Sequence, residues 1–183
     1  MPFLIAGGSL FIIALIIVFY VLSTKNMFKR LETKIAQSQI ELDHAIGKWF
    51  LLYQDFYKHL NHEHSLTEIR LDGSLDTMNM IEKAVFMHDV SEEIEKAYLA
   101  LSTSESIKNN DEVALLFDVM HELKNELDLK KCSYHALVSE FNQKVVVFPS
   151  HMVATWLSYK KKPYLEIHDS ITQTTNLKGS LNN

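Results

Sequence analysis

The sequence predicts an all-α protein: an N-terminal transmembrane helix, then an elongated antiparallel up-and-down bundle of three long helices plus one short C-terminal helix. Three observations carry this. Residues 3–22 contain no charged side chain. Beyond them, apolar residues recur at helical spacing, most often seven apart. Gly and Pro are scarce, at 5 and 3 residues, so few turns interrupt the regular elements. The expected parts are an outer stub and anchor over 1–23, a helical bundle over 24–167 and a disordered polar tail over 168–183.

The anchor is FLIAGGSLFIIALIIVFYVL. At about 1.5 Å rise per residue, its length matches a hydrocarbon core of about 30 Å. A helix there satisfies its own backbone hydrogen bonds. The competing reading is a cleaved signal peptide. Against it, no Lys or Arg precedes the run, the run is long, and no small-x-small site follows Tyr20. Lys25, Lys29, Arg30 and Lys34 follow the span. Positive flanks stay in the cytoplasm, so the N-terminus is expected outside and the bundle inside, at the cell membrane. Residues 3–22 make the lipid bilayer the first expected partner. Gly7, Gly8 and Ser9 form a small-residue notch for self-association through the anchor.

The chain carries 18 Lys+Arg against 23 Asp+Glu, a formal net charge of −5. All of that charge lies outside the anchor. A mildly acidic domain is a poor polyanion binder, which argues against nucleic acid. The single Cys132 forms no internal disulfide, which suits a reducing compartment, and reads as an inert thiol.

In the first soluble helix, about Thr24 to His62, Phe28, Ile35, Leu42, Trp49 and Phe56 recur every seven residues. Ile46, Tyr53 and Leu60 lie beside them. No break separates this stripe from the anchor, so one continuous helix of about 60 residues is expected. Trp49, Tyr53, Phe56 and Tyr57 form an aromatic row, read as core rather than as a ligand box. Next, His59, His62, Glu63 and His64 crowd together. They are competent metal ligands, but the HExxH order is missing and a solvated helix end is the favoured reading. Asp72-Gly73-Ser74 is a turn signal.

A second helix is expected over about Leu75 to Leu101, with Leu75, Met78, Ile81, Val85, Ile94, Tyr98 and Leu101 inward. Ser102 to Asn110 reads as a loop, with Asn110 or Asp111 as the next cap. The third helix carries Val113, Met120, Leu127, Tyr134, Phe141 and Phe148, each seven apart. Such a row predicts shallow packing along long neighbours. Pro149 ends it, and a short helix restarts over about Ser150 to Tyr159. Lys160-Lys161-Lys162 then reads as a solvated end, and Tyr164 to Ile167 as extended. Antiparallel packing of helices joined by short loops puts Pro149–His151 and His59–His64 together at the end far from lipid.

From Tyr134 to Ile167 the residues resemble the C-terminal signature of the LemA family. Tyr134, Val138, Phe141-Asn142, Phe148-Pro149, Val153-Ala154, Tyr159 and Tyr164-Leu165-Glu166 stand in its places. His135 and Leu165 depart from the family's Asn and Phe. Upstream, GKWFLLYQDFYKHL lacks the family's Arg pair and Pro. The resemblance implies membrane-anchored helical bundles to which no enzymatic activity is generally ascribed, and no cofactor. The signature residues Tyr134, Val138, Phe141, Asn142, Phe148, Pro149, Ala154, Tyr159 and Tyr164 are expected to be structural, with Asn142 in an interhelical hydrogen bond.

The sequence independently lacks a GxSxG, a Gly-rich phosphate loop and an HExxH. No catalytic residue is expected. Two functions follow: a non-enzymatic scaffold meeting other membrane or cytoplasmic proteins, or a membrane-anchored sensor or accessory binding a metal or small molecule near the His cluster.

Overall fold

The computed structural model describes residues 2–60, 66–71, 73–103 and 111–166. It is helical, with four α-helices and no strand among the described residues: α1 (Pro2–Leu60), α2 (Met80–Thr103), α3 (Asp111–Val146) and α4 (Ser150–Trp156). The expected tail over 168–183, the Ser104–Asn110 part of the loop, Asp72, His62, Glu63 and His64 lie outside the described residues, as do the side chains of Leu60, Leu101 and Val113.

The apolar run over 3–22 and the heptad stripe after it form one helix of 59 residues, as the unbroken apolar pattern requires. Pro2 opens it, where a missing N–H costs no helical bond. Its two parts differ in cover. Leu10 to Phe19 carry apolar side chains that are more than half exposed, except Ala14, which is also exposed. From Phe28 on, Phe28, Ile35, Leu42, Trp49 and Phe56 are all at most 5% exposed. Among the described residues, α1 is the one helix long and apolar enough to cross a membrane.

The chain forms two compact units. The first comprises Met1–Gln39 and Tyr134–Lys162. Its core is aromatic. Phe28 of α1 meets Phe141 of α3 edge-on at 5.4 Å and stacks on Tyr159 at 4.6 Å. Such ring pairs add to the burial of apolar area itself.

The second unit comprises Ile40–Ser133 and Pro163–Asn183. Here the up-and-down expectation needs correction. Asp43 of α1 pairs with Lys83 of α2, and Trp49 with Ser91. The numbers rise together, so α2 runs along α1 in the same sense. The return is made by the connection instead. Thr67 and Ile69 bind Tyr53, and Leu75 lies 3.9 Å from a Cβ built on Gly47. Short loops force antiparallel neighbours, but this connection is long and is itself packed on α1. The Asp72-Gly73 signal does mark a bend, with Gly73 at φ +115° and its N–H on the Leu71 carbonyl.

The start and face of α2 also differ from expectation. Leu75–Thr77 form a 3-10 turn capped by Ser74. The helix begins at Met80 because Asn79 caps it: its Oδ1 accepts from the N–H groups of Ile81 and Glu82, while the Glu82 carboxylate accepts from the Asn79 N–H. This reciprocal capping satisfies orphan donors at the helix start. The buried face holds Met80, Lys83, Ala84, Val90, Glu93, Ile94 and Ala97, while Ile81 and Tyr98 are exposed. Two charged residues within the buried stripe hid it from an apolar count.

On α3, Met120, Leu127, Tyr134 and Phe141 are buried as the heptad predicts. Phe148 is not: α3 stops at Val146 and Phe148 is 75% exposed. α4 is shorter than expected. Ser158, at φ +58°, closes it, and the N–H groups of Leu157, Ser158 and Tyr159 take the carbonyls of Val153, Thr155 and Ala154.

Candidate functional site

The signature residues from Tyr134 to Tyr159 fall in the first unit, where α3 hands the chain to α4, while Tyr164, Leu165 and Glu166 belong to the second. Pro149 interrupts the helix, so the last α3 carbonyls need new donors. Ser150 Oγ supplies one to Lys144 and Val147, at 2.7 and 2.9 Å. His151 Nδ1 lies 2.8 Å from the Val145 carbonyl, which requires its proton on that nitrogen. The corner is thereby satisfied locally and the chain reverses onto α1.

Beyond α4, Asn142 holds the returning segment. Its amide donates to the Lys162 carbonyl at 2.9 Å, and its Oδ1 accepts from the Lys162 N–H at 2.7 Å. The partner is therefore extended backbone, not another helix. A side-chain amide is suited to this because it presents donor and acceptor together. The Lys162 ammonium then lies 5.5 Å from the Phe141 ring centre and 3.1 Å from a Glu32 carboxylate oxygen. One of three consecutive lysines is thus fixed, while Lys160 and Lys161 are exposed. Tyr159, stacked on Phe28, has its phenol pushed up from its ordinary value by burial and by Glu32.

Tyr134, Val138, Phe141 and Ala154 are at most 2% exposed. They are packing residues. Phe148 and Tyr164 are exposed instead. Phe148 and Pro149 line an open groove of about 430 Å³ with Tyr20, Thr24, Met27 and Val147. This corrects the distal placement of Pro149–His151: the corner lies beside the end of the apolar run of α1.

In the second unit a polar clamp holds the connection. The Tyr53 hydroxyl donates to the Thr67 carbonyl and accepts from the Ile69 N–H. Glu93 accepts from the Thr67 N–H at 2.9 Å and pairs with Lys96 at 2.8 Å. Burial pushes the Tyr53 phenol up. Burial also works to raise Glu93, but the bonds from Lys96 and Thr67 hold its carboxyl below the ordinary range. Deeper in, Lys83 meets both oxygens of Asp43. Sequence reading missed this pair, though a signal existed. Lys83 lies seven before Val90 and Asp43 seven before Phe50, both in buried stripes.

Of the candidate metal ligands, His59 lies in the last turn of α1. Its side chain, and all of His62, Glu63 and His64, fall outside what is described. Among the described residues, no three His, Cys, Asp or Glu side chains are grouped to hold a metal ion. Cys132 is exposed on α3.

Comparison with curated proteins and with solved structures found no match. The LemA family model, however, matches residues 60–178, which takes in the α3–α4 corner and, of the polar clamp, Thr67, Ile69, Glu93 and Lys96 but not Tyr53; the chain belongs to the LemA family.

Proposed function

We propose that this is a single-pass membrane protein whose bundle serves as a non-enzymatic scaffold for other membrane or cytoplasmic proteins. The observation that carries the reading is the change of cover along α1. One helix passes from exposed apolar side chains at Leu10 to Phe19 to a buried apolar row from Phe28 to Phe56. Lipid is the solvent that suits the first part. Lys25, Lys29, Arg30 and Lys34 favour a cytoplasmic bundle with the N-terminus outside.

Within the second unit, the helix pairs support a bundle in which α3 opposes α1. Glu41 pairs with Lys130 and Lys48 with Glu126, so one number falls as the other rises. The buried charges support a structural role. Among the described residues these are Asp43, Lys83 and Glu93, and each is committed to a partner within the fold. Catalytic groups need access to a reacting atom.

A cytoplasm-dependent reporter fused after Asn183 tests the topology, together with alkaline carbonate washing of membranes. Cytoplasmic reporter activity and retention in the washed membrane are expected. Activity of an exported reporter overturns the orientation, and release by carbonate overturns the anchor.

A further inference from the structure

The corner between α3 and α4 leaves an apolar row uncovered. Phe148 is 75% exposed, Met152 64% and Trp156 73%. They are four apart, and Met152 and Trp156 share a face of α4. Val153 and Ala154, on the other side, are buried. An exposed apolar cluster of this kind marks a contact surface.

Its position says what covers it. Trp156 and Leu157 line an apolar cleft with Ile17, Val18, Val21 and Leu22. Phe148 lines the groove beside Tyr20 and Met27. The row is therefore level with the last turns of the apolar run, which ends at Leu22. Ile17 lies about 7.5 Å inside that end at about 1.5 Å per residue. The headgroup zone beyond a hydrocarbon core of about 30 Å is roughly 5–8 Å deep on each side. Trp favours this boundary, where one part of the ring is dry and its N–H is wet.

Charge fits the same surface. The chain as a whole is acidic, yet the first unit holds eight Lys and Arg against two Glu. Lys25 is exposed and lines the cleft with Trp156, Lys160 and Lys161 are exposed a few residues after α4, and Glu32 is paired with Lys162. Basic side chains at this depth meet lipid phosphates.

We propose that Phe148, Met152 and Trp156 form a second membrane contact, with α4 lying in the headgroup boundary of the leaflet where α1 emerges. This rests on the anchor reading above. The anchor then has a foot: α1 is held against rotation and tilt by a short helix pressed on the same leaflet.

The test uses full-length protein in phosphatidylcholine–phosphatidylglycerol vesicles with bromine-labelled acyl chains. The chain has 2 Trp, and Trp49 is buried against Ser91. Trp156→Phe therefore isolates the Trp49 background. Shallow bromines should quench half or more of the emission assigned to Trp156, deep bromines less, and Trp156→Phe should respond to neither. Quenching by aqueous acrylamide but not by bromine, in protein that resists carbonate, overturns the foot and leaves the anchor standing. Shielding of Trp156 from both quenchers assigns the row to a protein partner and also overturns it. Release of the protein by carbonate overturns anchor and foot together.

Discussion

Lys83 sets its ammonium 2.6 and 2.7 Å from the two carboxylate oxygens of Asp43, and the Lys83 side chain has no exposure to solvent. The pair ties α2 to α1 at the level where the connection has finished its return. Burial pushes the Asp43 carboxyl up, while Lys83 pulls it down. Such a pair contributes little net stability relative to a well-packed apolar substitute, because both ions were taken out of water. Its larger effect is on register, since neither ion tolerates losing the other.

Lys83→Met alone should therefore cost about 3–5 kcal/mol, because it strands a buried carboxylate. Asp43→Val alone should cost a similar amount. The double variant should recover most of the loss. Thermal melting of the full chain in detergent checks this, with roughly 2–4 °C expected per kcal/mol at this size. A double variant melting as low as either single variant would show that the pair acts through shape and not through charge.

Phe141 and Phe148 are seven apart in one sequence row but differ in cover, at 0% and 75% exposed. Phe141→Ala should cost about 3–5 kcal/mol by leaving a cavity against Phe28 and Tyr159. Phe148→Ala should change stability in detergent by no more than about 0.5 kcal/mol. Equal melting losses for the two would contradict the placement of Phe148 outside the core.

What the sequence revealed, and what it hid, follows from how each contact is encoded. Helix existence was legible because Phe28 to Phe56 and Met120 to Phe141 repeat every seven residues and face the core. The direction of α2 was not legible. It depends on Thr67 and Ile69 binding Tyr53, which are backbone bonds in a segment without periodicity. The face of α2 was misread because Lys83 and Glu93 occupy buried positions, and only their partners explain them. At the site, Phe141 and Tyr159 of the signature pack their rings against Phe28, and Asn142 is buried. The signature did not reveal that Asn142 binds the backbone of Lys162, because that contact depends on the reversal after Ser158.

Asn142 forms both of its bonds to one residue, so its variants separate donor from acceptor. Asn142→Asp keeps the oxygen that accepts from the Lys162 N–H and loses the donor to the Lys162 carbonyl. Asn142→Ala loses both. Each buried bond lost should cost about 1–3 kcal/mol if its partner is left unsatisfied. Released backbone at 160–162 should be cut faster by trypsin, with Lys160 and Lys161 exposed there already. The expected order of cleavage rate, slowest first, is parent, then Asn142→Asp, then Asn142→Ala. Parental cleavage in Asn142→Ala would mean that Lys162 is held by Glu32 and Phe141 alone.

Glu93 gives the fold an acid limit. Burial opposes its charge, but bonds from Lys96 and the Thr67 N–H outweigh burial and hold its carboxyl below the ordinary 4.5. The sign follows from linkage. A carboxyl with a depressed folded value stabilises the fold above its unfolded value, and that contribution is lost as pH falls through the folded one. Asp43 runs the other way, since its folded value is raised from 3.8. The parent's total pH profile therefore mixes two opposed effects, and a variant is needed to isolate Glu93. Glu93→Gln keeps an oxygen for the Thr67 N–H but has no charge to titrate. At pH 7 the parent should melt higher than Glu93→Gln. As pH falls below about 4.5 that gap should close, because the protonated carboxyl of the parent and the amide of the variant are then alike in charge. The Thr67 amide should report the same change by losing hydrogen-exchange protection over that range in the parent alone. A gap that stays constant from about pH 7 to pH 3 would mean that Glu93 holds the connection by shape, with its charge contributing nothing.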